Sequence, residues 1–188
     1  ATLMLQLYGF IAVPDGPLMM TTALFLLTFK WFSENRRCAW LWMGVAMALM
    51  AYSKYHGALV VLFALAATPP RLLRPALYSS GAVALLLLVP HLVWQYEHDW
   101  ASLAYHLAGR NSVFRPNYVA EYLLNLLVVF NPFFVPLYVK AWIAVKPQNA
   151  VERALKFIPV AFIVFFLLST FRGYVQPQWV IVAVFGLI

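Results

Sequence analysis

Apolar runs at residues 1–13, 18–32, 39–52, 58–67, 77–94, 118–145, 157–171 and 180–188 alternate with short stretches rich in charges or helix breakers. The pattern predicts an all-α chain, a polytopic transmembrane helical bundle. A full crossing takes about 20 residues and several runs are shorter, so some are expected to be half-helices or re-entrant segments. The loops are short, which makes neighbouring helices antiparallel. Pro14, Asp15, Gly16 and Pro17 form a turn between two runs, with Pro17 suited to a helix start, and residues 68–75 hold further prolines that favour a turn.

Two stretches are ambiguous in span number. Residues 39–67 read as one long span or as two short helices meeting at Ser53, Lys54, Tyr55, His56 and Gly57. Residues 118–145 are interrupted by Asn131 and Pro132, where a missing backbone donor kinks a helix, and one long kinked span is expected there.

Charge arbitrates. If 39–67 is a hairpin, then Lys30, Arg36, Arg37, Arg71, Arg74, Lys140, Lys146, Arg153 and Lys156, nine of the thirteen basic residues, fall on one side. The positive-inside rule makes that side cytoplasmic. The other face then receives Lys54, Arg110, Arg115 and Arg172, the four histidines His56, His91, His98 and His106, and Asp15, Glu97, Asp99 and Glu121. Acids and histidines sorted to one face point to chemistry there, although a long outer loop would collect polar residues too.

Composition agrees with embedding in lipid. Apolar residues make up 64% of the chain and charged ones 10%, with a mean hydropathy of +0.81, against about 25% charged in soluble domains. The single cysteine, Cys38, excludes an internal disulfide, and no Cys/His spacing suits a structural zinc site. The net charge of +7 is scattered between apolar runs, which fits anionic membrane lipids and not nucleic acid. The chain begins without Met or a basic leader and ends inside an apolar run. We therefore expect an excerpt, residues 1–188 being part of a single transmembrane domain truncated at both ends.

Four constellations hold candidate chemistry. Asp15, between two prolines and a glycine, is a base, a metal ligand or a hydroxyl-binding group, or else it caps the following helix. Lys54 and His56 lie in a polar cluster between two apolar runs, where a lysine either snorkels to the interface or meets an anion such as a lipid phosphate. Residues 95–110 predict an amphipathic outer helix. At about 100° per residue Asp99, Ser102, His106 and Arg110 share one arc, so a metal-capable histidine and an anion-binding arginine lie one turn apart, or the arc is merely solvated. Gln176, Gln178 and Trp179 lie in a loop that re-enters the membrane. Two amides and a ring suit a carbohydrate, while Tyr174 and Trp179 also fit an interfacial aromatic belt. No phosphate-cradling glycine loop, zinc-protease or dinucleotide motif is present.

The ordered series Pro14-Asp15-Gly16-Pro17, Ser53-Lys54-Tyr55-His56-Gly57, His98-Asp99-Trp100 followed by His106 to Arg110, and Gln176-Pro177-Gln178-Trp179 resembles the GT-C membrane glycosyltransferases of the protein-mannosyltransferase and aminoarabinose-transferase type. The likeness covers nearly the whole chain. It implies an integral, multi-pass enzyme of the bacterial inner membrane that takes a sugar from a polyprenyl-phosphate donor to an acceptor lipid, glycan or protein at the outer face. By position, Asp15 looks like the family's active-site acid and Lys54 like its membrane-edge lysine. His106 and Arg110 look like the outer-loop residues that help to bind a divalent metal and the lipid phosphate. The principal catalytic base is expected upstream of Ala1. The Gln176 to Trp179 loop departs from the family's more usual Asn-Trp-Pro-like loop, which leaves sugar and acceptor open. A transporter or flippase for an anionic lipid-linked substrate is the alternative, although no inverted repeat is visible.

Overall fold

A computed structural model of the chain describes residues 13–102, 104 and 114–186. Its elements are α1 (Asp15–Ser33), α2 (Ala39–Ser53), α3 (Gly57–Ala66), a short 3-10 segment (Pro69–Leu73), α4 (Pro75–Glu97), α5 (Pro116–Phe130), α6 (Val135–Ala144), α7 (Ala150–Ser169) and a closing 3-10 helix (Pro177–Gly186). No strand occurs among the described residues, and the fold is an all-helical membrane bundle. Among the described residues one helix, Pro75–Glu97, is long and apolar enough to cross a membrane alone, and α5 with α6 reaches that length as a bent pair.

The helices are apolar on more than their packed faces. Phe25, Phe29, Met43, Met50, Val60, Phe162 and Phe166 form the core, yet Leu85 and Leu86 on α4 and Leu124 and Val128 on α5 remain well exposed. An outer surface of this kind is stable against hydrocarbon, not water. Close packing relies on small residues, as expected where lipid removes the hydrophobic drive between helices. Gly44 of α2 lies so near α4 that a Cβ there would come within 2.6 Å of the Ser80 carbonyl.

Residues 39–67 fold as a hairpin of two helices. Lys54 is extended (φ −168°, ψ 139°), which ends α2, and Gly57 opens α3 against Met50, where an added Cβ would sit 2.9 Å from the Met50 Cβ. The hairpin returns Arg71 to a cavity shared with Lys30 and Glu34 at the C-terminal end of α1. Arg74 fixes that return by donating to the Phe32 carbonyl (3.0 Å) and to Asn35 Oδ1 (2.9 Å). The bundle thus has a basic end, built by the turns after α1 and α3 and the start of α7, and an opposite end built by the start of α1, the α2–α3 turn and the start of the closing 3-10 helix.

One expectation is sharpened and another corrected. Residues 118–145, expected as one long kinked span, consist of two helices, α5 and α6, that reach span length together but are bent by 82° across the break. Asn131 takes φ 60° and its side chain accepts from the Phe133 amide (3.2 Å), while Pro132 supplies no donor, so the helix ends outright. The pair still runs between the two ends, because Tyr118 meets Tyr174 at one and Trp142 donates to the Lys156 carbonyl at the other. The outer amphipathic helix is not continuous from Gln95. Residues 95–97 finish α4, and Asp99 (φ 53°) and Trp100 (φ 54°) are left-handed, which breaks the helix before Ala101. The rest of it, residue 103 and residues 105–110, lies outside the described residues.

Candidate functional site

Asp15 is the first residue of α1, directly after Pro14 at the N-cap position. Its Oδ1 instead accepts from Lys54 Nζ at 2.6 Å. The Asp15 side chain is 4% exposed and that of Lys54 18%. The contact turns Lys54 inward instead of letting it snorkel to the interface. The extended backbone at Lys54 makes this possible, since a continued helix would carry its side chain along the outside of α2.

The pair borders a cavity of about 390 Å³ whose wall also includes His56, His91, Gln176, Gln178 and Trp179. That volume lies within the roughly 300–1,000 Å³ range of small-molecule sites. His56 packs between Trp179 (ring centroids 4.8 Å apart) and Phe166 (5.3 Å). Gln176 Oε1 accepts from Gln178 Nε2 (2.8 Å) and from Trp179 Nε1 (3.0 Å), so this oxygen fixes the loop and is not spare for a ligand. The Gln176 amide and the Gln178 carbonyl oxygen remain the polar handles of that wall.

Six of the predicted site residues, Asp15, Lys54, His56, Gln176, Gln178 and Trp179, thus meet in one cavity. Arg110 and His106 lie outside the described residues. Among the described residues no group of three or more His, Cys, Asp or Glu side chains converges as a metal site. The cavity's carboxylate is already paired with a lysine, so this part of the wall does not fit a divalent cation.

Sequence reasoning missed the network built on Tyr55 and His91. Tyr55 Oη lies 3.0 Å from His91 Nε2 and accepts from Gln95 Nε2 (2.7 Å), which also donates to Ser102 Oγ (2.7 Å). Gln95 is 3% exposed and so is a fixed strut. His91 and Gln95 are one turn apart on α4, a spacing that places them on one face and could have been noticed. That both would meet Tyr55 depends on packing that the sequence alone does not encode.

The cavity can therefore present an ammonium with N–H groups left beyond its carboxylate partner, an aromatic floor and amide edges. This donor set suits an anionic group next to a polyhydroxylated ring. A family model described as dolichyl-phosphate-mannose-protein mannosyltransferase matches residues 1–94, a segment holding Asp15, Lys54, His56 and His91. No curated protein and no solved structure matches the chain.

Proposed function

The chain belongs to the dolichyl-phosphate-mannose-protein mannosyltransferase family, and from that premise we propose that it transfers a sugar from a polyprenyl-phosphate donor to an acceptor hydroxyl in the cavity of Asp15 and Lys54. The observation that carries this reading is the inward-turned Lys54, held by Asp15 at 2.6 Å beside the His56, Gln178 and Trp179 wall. Lys54, with Arg110, takes the phosphate; Trp179 and the amides take the sugar.

In the step proposed, the acceptor oxygen bonds to the anomeric carbon, the bond from that carbon to the phosphate oxygen breaks, and polyprenyl phosphate leaves with the electron pair. The hydroxyl proton passes to the carboxylate base that the family resemblance implies, a residue other than Asp15, which stays paired with Lys54. Lys54 stabilises the charge that grows on the departing phosphate, and Asp15 holds the ammonium where that charge develops. His106 is assigned to a divalent cation by resemblance alone, and no step is routed through a metal.

The bundle lies in the membrane as a multi-pass unit, with the basic end cytoplasmic and the cavity at the outer face. The sorting of Lys30, Arg71 and Arg74 away from Asp15 and Lys54 supports that orientation. The test uses full-length protein in proteoliposomes with a polyprenyl-phosphate sugar labelled in the sugar. Label passing to an acceptor, with release of polyprenyl phosphate, is expected. Labelled lipid that crosses the bilayer unchanged would instead identify a flippase.

A further inference from the structure

At the basic end a second cavity, of about 280 Å³, is bordered by Lys30, Ser33 and Arg71 and by the first residues of α7. Two polar atoms in its lining, Ser33 Oγ and Arg71 Nε, are buried without a hydrogen-bond partner. Buried donors left unmade are costly, so these two atoms call for a partner. The two acids in the lining are already committed. Glu34 Oε2 pairs with Arg36 Nε at 2.7 Å, while Glu152 accepts from the Gln148 amide and from Asn149 Nδ2, both at 2.6 Å. Neither forms an ion pair with Lys30 or Arg71, and Glu152, bonded only to neutral amides, keeps its negative charge in the lining. Burial, followed by the neighbouring Arg74 and Arg153 charges, pulls the Arg71 guanidinium below its ordinary range.

We propose that this cavity is a phosphate-binding site, with Arg71 and Lys30 supplying charge and Ser33 a hydroxyl donor. Arginine's fixed fork of N–H groups matches phosphate oxygens, and the lysine adds a point charge. Phosphate could come from an anionic lipid headgroup or from free phosphate in the adjoining water. The site is at the opposite end of the bundle from Lys54, so it does not depend on the catalytic reading.

The test is isothermal titration of the full-length protein in neutral detergent, first with inorganic phosphate and then with short-chain phosphatidylglycerol. Saturable binding of at least one is expected: phosphate alone identifies a soluble anion, and the lipid alone a headgroup. Arg71→Gln should weaken binding about tenfold or more, as for loss of a charged hydrogen bond. Ser33→Ala, which barely changes volume, should weaken it less, and Arg37→Gln, at the same end but outside the cavity, should bind as wild type. The proposal is overturned if neither ligand binds saturably, or if Arg71→Gln and Ser33→Ala both bind as wild type.

Discussion

Lys54 Nζ donates to Asp15 Oδ1 across 2.6 Å, joining two turns that lie 39 positions apart in the chain. The contact ties the start of α1 to the α2–α3 turn and orders one wall of the larger cavity. Two charges withdrawn from solvent in this way cost desolvation on both sides, so the pair adds little net stability although removing one partner is costly.

The two partners should therefore respond unequally to mutation. Lys54→Gln leaves the carboxylate, 4% exposed, without its cation, and a loss on the order of 3 kcal/mol is expected. Asp15→Asn strands a lysine that is 18% exposed and nearer to water, so its loss should be smaller. The double variant should recover part of the Lys54→Gln loss, which a double-mutant cycle on thermal unfolding would read.

The glycines that permit close helix contact are predicted to be intolerant. A Cβ at Gly44 would meet the Ser80 carbonyl at 2.6 Å and the Val83 side chain at 2.8 Å, and one at Gly57 would meet the Met50 carbonyl at 3.0 Å. Backbone cannot step aside as a flexible side chain can. Gly44→Ala should cost about 1–3 kcal/mol, seen as a lower Tm, with Gly57→Ala milder. Gly81, whose Cβ would meet nothing, is the control that should keep its Tm as Gly81→Ala.

Much of the architecture was legible because charge and breakers mark where helices turn. In the sequence, residues 39–67 stay open between a hairpin and one span, with the placing of Arg36, Arg37, Arg71 and Arg74 on one side favouring the hairpin, and Arg74 bonding to Phe32 and Asn35 is the contact that realises it. Hydropathy could not show that Asn131 would adopt a left-handed φ and turn a kink into an 82° break. The same limit hid the break at Asp99 and Trp100, since helical arcs are drawn on the assumption of unbroken φ and ψ. The polar clusters of the candidate site were visible as exceptions in an apolar chain. Their meeting was not, because Asp15 reaches Lys54, and Tyr55 reaches His91 and Gln95, only through tertiary packing.

The two-ended arrangement predicts one-sided chemical access. Cys38, the chain's one cysteine, is exposed in the turn between α1 and α2. A membrane-impermeant maleimide should reach it from the cytoplasmic side alone. In a Cys38→Ser background, Tyr96→Cys, at an exposed position near the far end of α4, should react only from the outside. Both positions labelling from one side would refute the orientation.

The most direct measurement of the central claim is turnover of a polyprenyl-phosphate sugar by full-length Lys54→Gln and Asp15→Asn proteins. Each would be compared with wild type at equal amounts of folded protein. The account predicts that Lys54→Gln lowers kcat/KM by about a hundredfold, the scale of one lost electrostatic donor to a developing oxyanion, and that Asp15→Asn falls in the same direction. Full turnover by both variants while correctly folded would contradict it and remove this cavity as the site of transfer.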